Sequence, residues 1–359
     1  MKKMPINKSK IIQDFQLEII KFINNKNLGK NIMISPLSIY HILSLTSNGA
    51  ANNTMVEMLQ LLGHKSKLDL NKENSSLSTA ISNFKSVKMA NAIFTKFKPE
   101  PAFMKLIENY KSTIDDLISV EQVNSWCSKA TNNTINKIID DINNALMILI
   151  NAIYFKGNWE KKFDIKLTNK LPFLNFNKEE KITEFMNMND NFNYLEDENI
   201  QAIQLNYSED NLKALIILPK VEKDINIYIK NFNKDIYLNI IQNLGNQKVN
   251  LSLPKFEIKY EDELKEILIS MGMKEAFGPA DFSVMKKERD IQISKVIHKT
   301  YIKVDEEGTV AAAVTAVVMR KMMVRVNKMV VNHPFLFIIR SDNLPLGHDI
   351  LFFTKVETL

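Results

Sequence analysis

The chain has 359 residues, of which 45% are hydrophobic, 25% charged and 9% aromatic, the proportions of a globular protein with material for a large core. Only 9 glycines occur and neither G-x-G-x-x-G nor G-x-x-x-x-G-K-[ST] is present, which excludes the usual phosphate-cradling turns. The single Cys127 excludes an internal disulfide or multi-thiolate metal site, the five histidines form no H-E-x-x-H pair, and the net charge of +6 comes from interleaved residues without a long basic block, so no cofactor, metal or nucleic-acid partner is expected.

Met1 to Ile23 lacks the apolar core of a signal peptide, and no apolar run approaches the ~18 residues that span a bilayer. The expectation is a cytoplasmic protein without a membrane partner, with release by a non-classical route left open. Ile11, Ile12, Phe15, Ile19, Phe22 and Ile23 recur at helical spacing and predict an amphipathic first helix, ended by Asn27-Leu-Gly29. Ser35-Pro36 reads as an N-cap followed by proline at the first helical position, starting a second helix that fades toward Gly49. Thr54-x-x-Glu57 reads as a capping box for a third helix, closed by Gly63.

Further along, Ala145–Ile150 and Ala152–Phe155 flank Asn151 in an almost unbroken apolar stretch, the pattern of a strand buried on both faces. An amide inside such a strand needs partners, since leaving it unpaired costs roughly 1–3 kcal/mol. Lys156-Gly-Asn158 predicts a turn before Trp159. Ala214–Leu218 and Val249–Leu253 read as strands and Glu261–Met271 as a helix, while Val296, His298, Thr300, Ile302 and Val304 alternate along one strand face. Helices come first and strands later, with no βαβ rhythm, which predicts an α+β protein. No linker or repeat divides the chain, so residues 1–359 are expected to form a single domain.

From Gly308 through Met319 there are twelve residues without a charge or a proline. β-Branched residues are interleaved with alanine, as in a segment built to slide into a slot in a sheet. It leads into Arg320-Lys-Met-Met-Val-Arg325, a basic and methionine-rich stretch suited to a cleavable exposed loop. Exposed uncharged β-prone segments invite edge pairing, so one that is kept exposed is expected to be used.

These residues resemble the serpin family. Asn332-His-Pro-Phe-Leu-Phe-Ile-Ile339 is similar to the signature that follows the reactive loop, and Glu306-Glu-Gly-Thr-Val-Ala-Ala-Ala-Val-Thr-Ala316 to the hinge of inhibitory members. Asn31–Ile39, Asn151–Trp159 and Leu253–Phe256 resemble three further blocks, in family order. The resemblance implies three β-sheets, about nine helices and an exposed C-terminal reactive loop over about residues 305–331. It implies no catalytic residue of the chain's own. It implies suicide inhibition: a serine protease attacks the loop, forms a 1:1 covalent acyl-enzyme with a monomeric inhibitor, and is trapped when the cut loop inserts as a new strand. Its hinge would be Gly308, Thr309, Val310, Ala311, Ala312, Ala313, Val314 and Thr315. Ser35, Ser38, Asn151 and His298 resemble the shutter that lets the sheet part, and Trp159, Lys255 and Glu306 the breach where insertion begins.

Counting fifteen residues inclusively from Gly308 puts the scissile bond at Met322–Met323, and counting back from Phe335 puts it at Met323–Val324. Methionine there favours a chymotrypsin-like, cathepsin G-like or elastase-like target. Val310 and Val314 are bulkier or less polar than is usual in the family, implying slower insertion at most. A non-inhibitory serpin, acting as carrier or chaperone, and a cross-class inhibitor of papain-like cysteine proteases are the alternatives.

Overall fold

A computed structural model describes residues 14–287, 291–308 and 326–359. Among them are nine α-helices: α1 Phe15–Lys26, α2 Pro36–Ser47, α3 Asn52–Leu61, α4 Lys67–Ser82, α5 Pro101–Leu106, α6 Val120–Ala130, α7 Ile225–Asn231, α8 Lys234–Asn243 and α9 Lys265–Ser270. The first strands are β1 Ile32–Ile34, β2 Val87–Thr95, β3 Thr113–Asp116, β4 Met147–Phe155, β5 Asn169–Leu174, β6 Glu180–Glu196 and β7 Ile200–Asn206. The remainder are β8 Leu212–Pro219, β9 Gly245–Pro254, β10 Phe256–Glu263, β11 Lys295–Val304, β12 Asn327–Val330, β13 Phe335–Ser341 and β14 Ile350–Val356.

One sheet has the order β10-β11-β4-β2-β3, and a nine-stranded network has the order β1-β14-β13-β8-β7-β6-β9-β12 with β5 on β6. The three sheets expected from the family resemblance are found as two networks because the 17-residue β6 joins them. It pairs with β7 near its C-terminal end and with β5 and β9 along the rest.

The five-stranded sheet is covered on both faces, which explains the unbroken apolar reading of β4. Leu149 and Ile153 face the main core, whereas Ile148, Ile150 and Ala152 pack in a second cluster with Val123 and Cys127 of α6. All twelve residues of α2 are buried, because the helix is wedged between β4 and β2 on one side and β14 on the other. Its interior hydroxyls bond back to their own helix, Ser44 to the Tyr40 carbonyl and Thr46 to that of Ile42.

Local signals place most of these elements. Ser35 caps α2 as expected, its side chain accepting from the Ser38 amide, with Pro36 at the first position. The capping box does not form. α3 begins at Asn52, and its N-cap Ala51 makes no side-chain cap bond. Thr54 accepts from the Asp281 amide and Glu57 from the amides of Lys274 and Glu275, so both residues clamp a distant segment instead. The helix expected over Glu261–Met271 is shorter. Pairing with β11 carries β10 on to Glu263↔Ile297, and only Lys265–Ser270 coil.

Candidate functional site

At the centre of the five-stranded sheet β4 and β11 pair directly and in parallel, from Lys295↔Ile148 to Tyr301↔Tyr154. Their outer neighbours, β2 and β10, run antiparallel to them. Parallel ladders have slanted bonds and are slightly weaker per residue, so the middle of this sheet is a weaker seam, as is the short parallel β2–β3 ladder at its edge.

A row of polar side chains crosses that seam. The register sets His298 opposite Asn151 and Asn151 opposite Asn91, all on the face toward α2. The Ser35 amide donates to His298 Nε2 at 3.2 Å, so the ring proton sits on Nδ1, which donates to Asn151 Oδ1 at 2.5 Å. Asn151 Nδ2 donates to Ser38 Oγ and Asn91 Oδ1. Asn91 Nδ2 donates to His41 Nδ1 at 3.2 Å, leaving Nε2 to donate to Ser78 Oγ at 3.0 Å. The relay runs in one donor direction from the cap of α2 through three strands to α4. Burial lowers the His298 pKa to about 3 and that of His41 to about 4. A second ring proton would also face an N–H in each case. The four residues expected as a shutter therefore meet in one buried network.

The expected breach lies at the C-terminal ends of the same two strands. Trp159 is eight residues beyond Asn151, and Glu306 eight beyond His298, at most about 26 Å along an extended chain. The Trp159 indole stacks on Tyr207 with centroids 4.5 Å apart and donates to the Asp305 carbonyl at 3.0 Å. Its backbone amide donates to the Glu307 carbonyl. Glu306 is buried, accepting from the Thr168 hydroxyl at 2.7 Å and pairing with Lys255 at 3.2 Å. Lys255 also reaches Glu184 at 3.0 Å. Burial pushes the Glu306 carboxyl up, but the Thr168 hydroxyl and Lys255 outweigh it and hold the group below the usual carboxylate range.

Gly308 closes this corner. It bridges to Asn158 and Asp305 with φ +136°, and a Cβ there would lie 2.3 Å from the Gly157 carbonyl oxygen. Only glycine fits that backbone at that approach. The far end of the 305–331 segment is held as β12, parallel to β9 at the edge of the larger network. The hinge residues Thr309, Val310, Ala311, Ala312, Ala313, Val314 and Thr315 and the expected scissile pair Met322 and Met323 lie outside the described residues.

The serpin (serine protease inhibitor) family model matches residues 10–358. The chain is a serpin. It is similar to the leukocyte elastase inhibitor of Xenopus tropicalis, 32% identical over 98% of this chain and 99% of that one. It is also similar to the intracellular coagulation inhibitor 2 of Tachypleus tridentatus, 32% identical over 93% of this chain and 87% of the relative. Among solved structures, the thermophilic serpin tengpin in its native state superposes with a TM-score of 0.88 at 32% identity, covering 100% of this chain and 96% of that one.

Serpins are generally protease inhibitors. Ser35 and Ser38 bond to the cap and the amide row. Burial raises the Cys127 thiol to about 12, so it stays protonated. No helix among the described residues is long and apolar enough to cross a membrane. Asn91, His41 and Ser78 belong to the same buried polar network, and the sequence alone does not single them out. Asn91 carried the same signal as Asn151, an amide inside the apolar run Met89–Phe94.

Proposed function

We propose that this serpin inhibits serine proteases of chymotrypsin, cathepsin G or elastase type as a suicide substrate cut at Met322–Met323. The protease serine attacks the Met322 carbonyl. An ester forms, the amide bond to Met323 breaks, and the amine of Met323 leaves with the proton delivered by the protease's own base. The freed chain from Thr309 onward then enters the β4–β11 seam, and the protease is deformed before water can cleave the ester. The complex is 1:1 and the inhibitor monomeric. A cytoplasmic setting is part of the same reading, supported by the name of the Tachypleus relative.

The observation that carries this reading is the parallel seam with its hinge at one end. β11 ends at Val304, and after the Asp305–Gly308 turn Gly308 bridges antiparallel to both Asp305 and Asn158. A strand returning from that turn would run antiparallel to both neighbours, replacing one slanted ladder by two antiparallel ones. Its small, uncharged side chains suit a slot between covered faces. The name of the Xenopus relative supports elastase among the targets.

The test is incubation with chymotrypsin, cathepsin G, pancreatic elastase and trypsin, followed by denaturing gels and mass analysis of the released peptide. A band that survives SDS, with a peptide beginning at Met323, supports the proposal. Cleavage of the loop by all four enzymes with no stable band overturns it.

A further inference from the structure

The largest cavity described, about 740 Å³, is lined by no residue of the Asn91–Asn151–His298 row or of the Trp159–Glu306 corner. It opens where the β6–β7 turn and the β8–α7 turn meet α7 and α8. The Lys220 amide ties the two turns together by donating to the Asn199 carbonyl at 2.8 Å. Ile200, Ile227, Tyr228, Ile236 and Ile240 form its apolar wall. Ile200 and Ile240 are buried, whereas Ile227 is 60% exposed at the mouth. The volume lies within the roughly 300–1,000 Å³ of small-molecule sites.

Two polar features mark the cavity as a site. The Tyr228 hydroxyl is buried without a hydrogen-bond partner among the described residues, although the ring is packed against Phe232 at 5.8 Å. Such a group costs about 1–3 kcal/mol unless something pairs with it. Around it stand four carboxylates, Asp197, Glu222, Asp224 and Asp235, against one lysine, Lys223. Asp197 and Asp224 accept backbone amides of their own turns and make no ion pair among the described residues. Glu222 and Asp235 make no ion pair among the described residues.

We propose that this cavity binds a small cationic amphiphile, an alkyl or aryl amine. Its apolar body lies along Ile200, Ile236 and Ile240, and its ammonium group sits at the acidic lip, where an N–H can donate to the Tyr228 oxygen. Anionic ligands of the same shape are rejected by the four carboxylates.

The experiment is calorimetric titration of the full chain with octylammonium, octanoate and 1-octanol, all below micelle formation. Saturable binding of one octylammonium per chain, about fivefold or more tighter than octanoate, is expected from exposed charge pairs at this lip. A Glu222→Gln/Asp235→Asn variant removes that preference while retaining octanol binding. An Ile236→Trp variant, which fills the cavity, loses all three ligands, and unchanged loop cleavage by chymotrypsin shows that it is folded. Absence of saturable binding, equal affinity for octanoate, or indifference to both variants overturns the proposal.

Discussion

Two buried histidines make the sheet sensitive to acid. His298 and His41 are held neutral, with pKa values near 3 and 4, against roughly 6.5 in an unfolded chain. Between about pH 6.5 and 4 the unfolded chain therefore binds protons that the native one refuses, and stability falls as pH falls through that window. For His41 the full loss is roughly 3 kcal/mol. His333, also lowered chiefly by burial, adds to it with the same sign. The urea midpoint is expected to drop steadily from pH 7 to pH 4.5. A flat profile down to pH 5 would contradict the tautomers assigned to the relay.

At the Trp159–Glu306 corner, unequal costs are expected from the two partners of one ion pair. Lys255→Met removes a part-exposed charge and costs about 1 kcal/mol or less. Glu306→Ala removes the buried carboxylate, leaving the part-buried Thr168 hydroxyl without that partner and Lys255 with Glu184 alone, at a cost of about 1–3 kcal/mol. Urea melts of the two variants check the order. Gly308→Ala meets the Gly157 carbonyl and an unfavourable φ, so the 305–308 turn opens at a cost of about 1–3 kcal/mol. A variant as stable as the parent would mean that the close approach to Gly157 is absent in solution.

Among the elements, β4 and β11 are joined by a weak ladder and a strong polar row. Asn151→Ala leaves the His298 Nδ1–H, the Asn91 carbonyl oxygen and the Ser38 hydroxyl each short of a bond. The seam is then expected to open more readily, and a synthetic peptide with the sequence of residues 309–320 should anneal to the variant several-fold faster than to the parent. Native gels following peptide uptake measure this, and equal rates would show that the row does not restrain the seam. α3 shows how an element can be legible while its cap is not. Thr54 and Glu57 have the spacing of a capping box, but amides more than 200 residues away compete for the same side chains and win because they are otherwise buried or unpaired. Likewise, the apolar spacing of Glu261–Met271 suits a helix, yet sheet pairing with β11 claims its first three residues.

For the molecule as a whole, the proposed insertion between β4 and β11 implies that a more stable arrangement is available to the cleaved chain. Inserting about ten loop residues would add on the order of ten net ladder bonds at about 1 kcal/mol each. Spread over an unfolding entropy of about 2.1 cal/mol/K per residue, that raises the melting temperature on the order of 10 °C after cleavage. Calorimetry of the protein before and after nicking the loop is the check. An unchanged melting temperature would mean that the cut loop stays outside the sheet.

Read alone, the chain determined a good deal: the α+β class, the doubly covered β4 with its buried amide, the Ser35 cap, and the sequence blocks that carry the family resemblance. Each is a local property, set by the period of apolar residues, by cap chemistry or by side-chain size within a dozen positions. Only the tertiary structure decided which polar groups become partners. Period two shows that Asn91, Asn151 and His298 each face one side of a strand, but not that three strands align them in one row. The same holds for Thr54 and Glu57, and for the Tyr228 hydroxyl, unpaired among the described residues. Register between segments 60 to 263 residues apart arises from packing the whole core at once, and no local pattern encodes it.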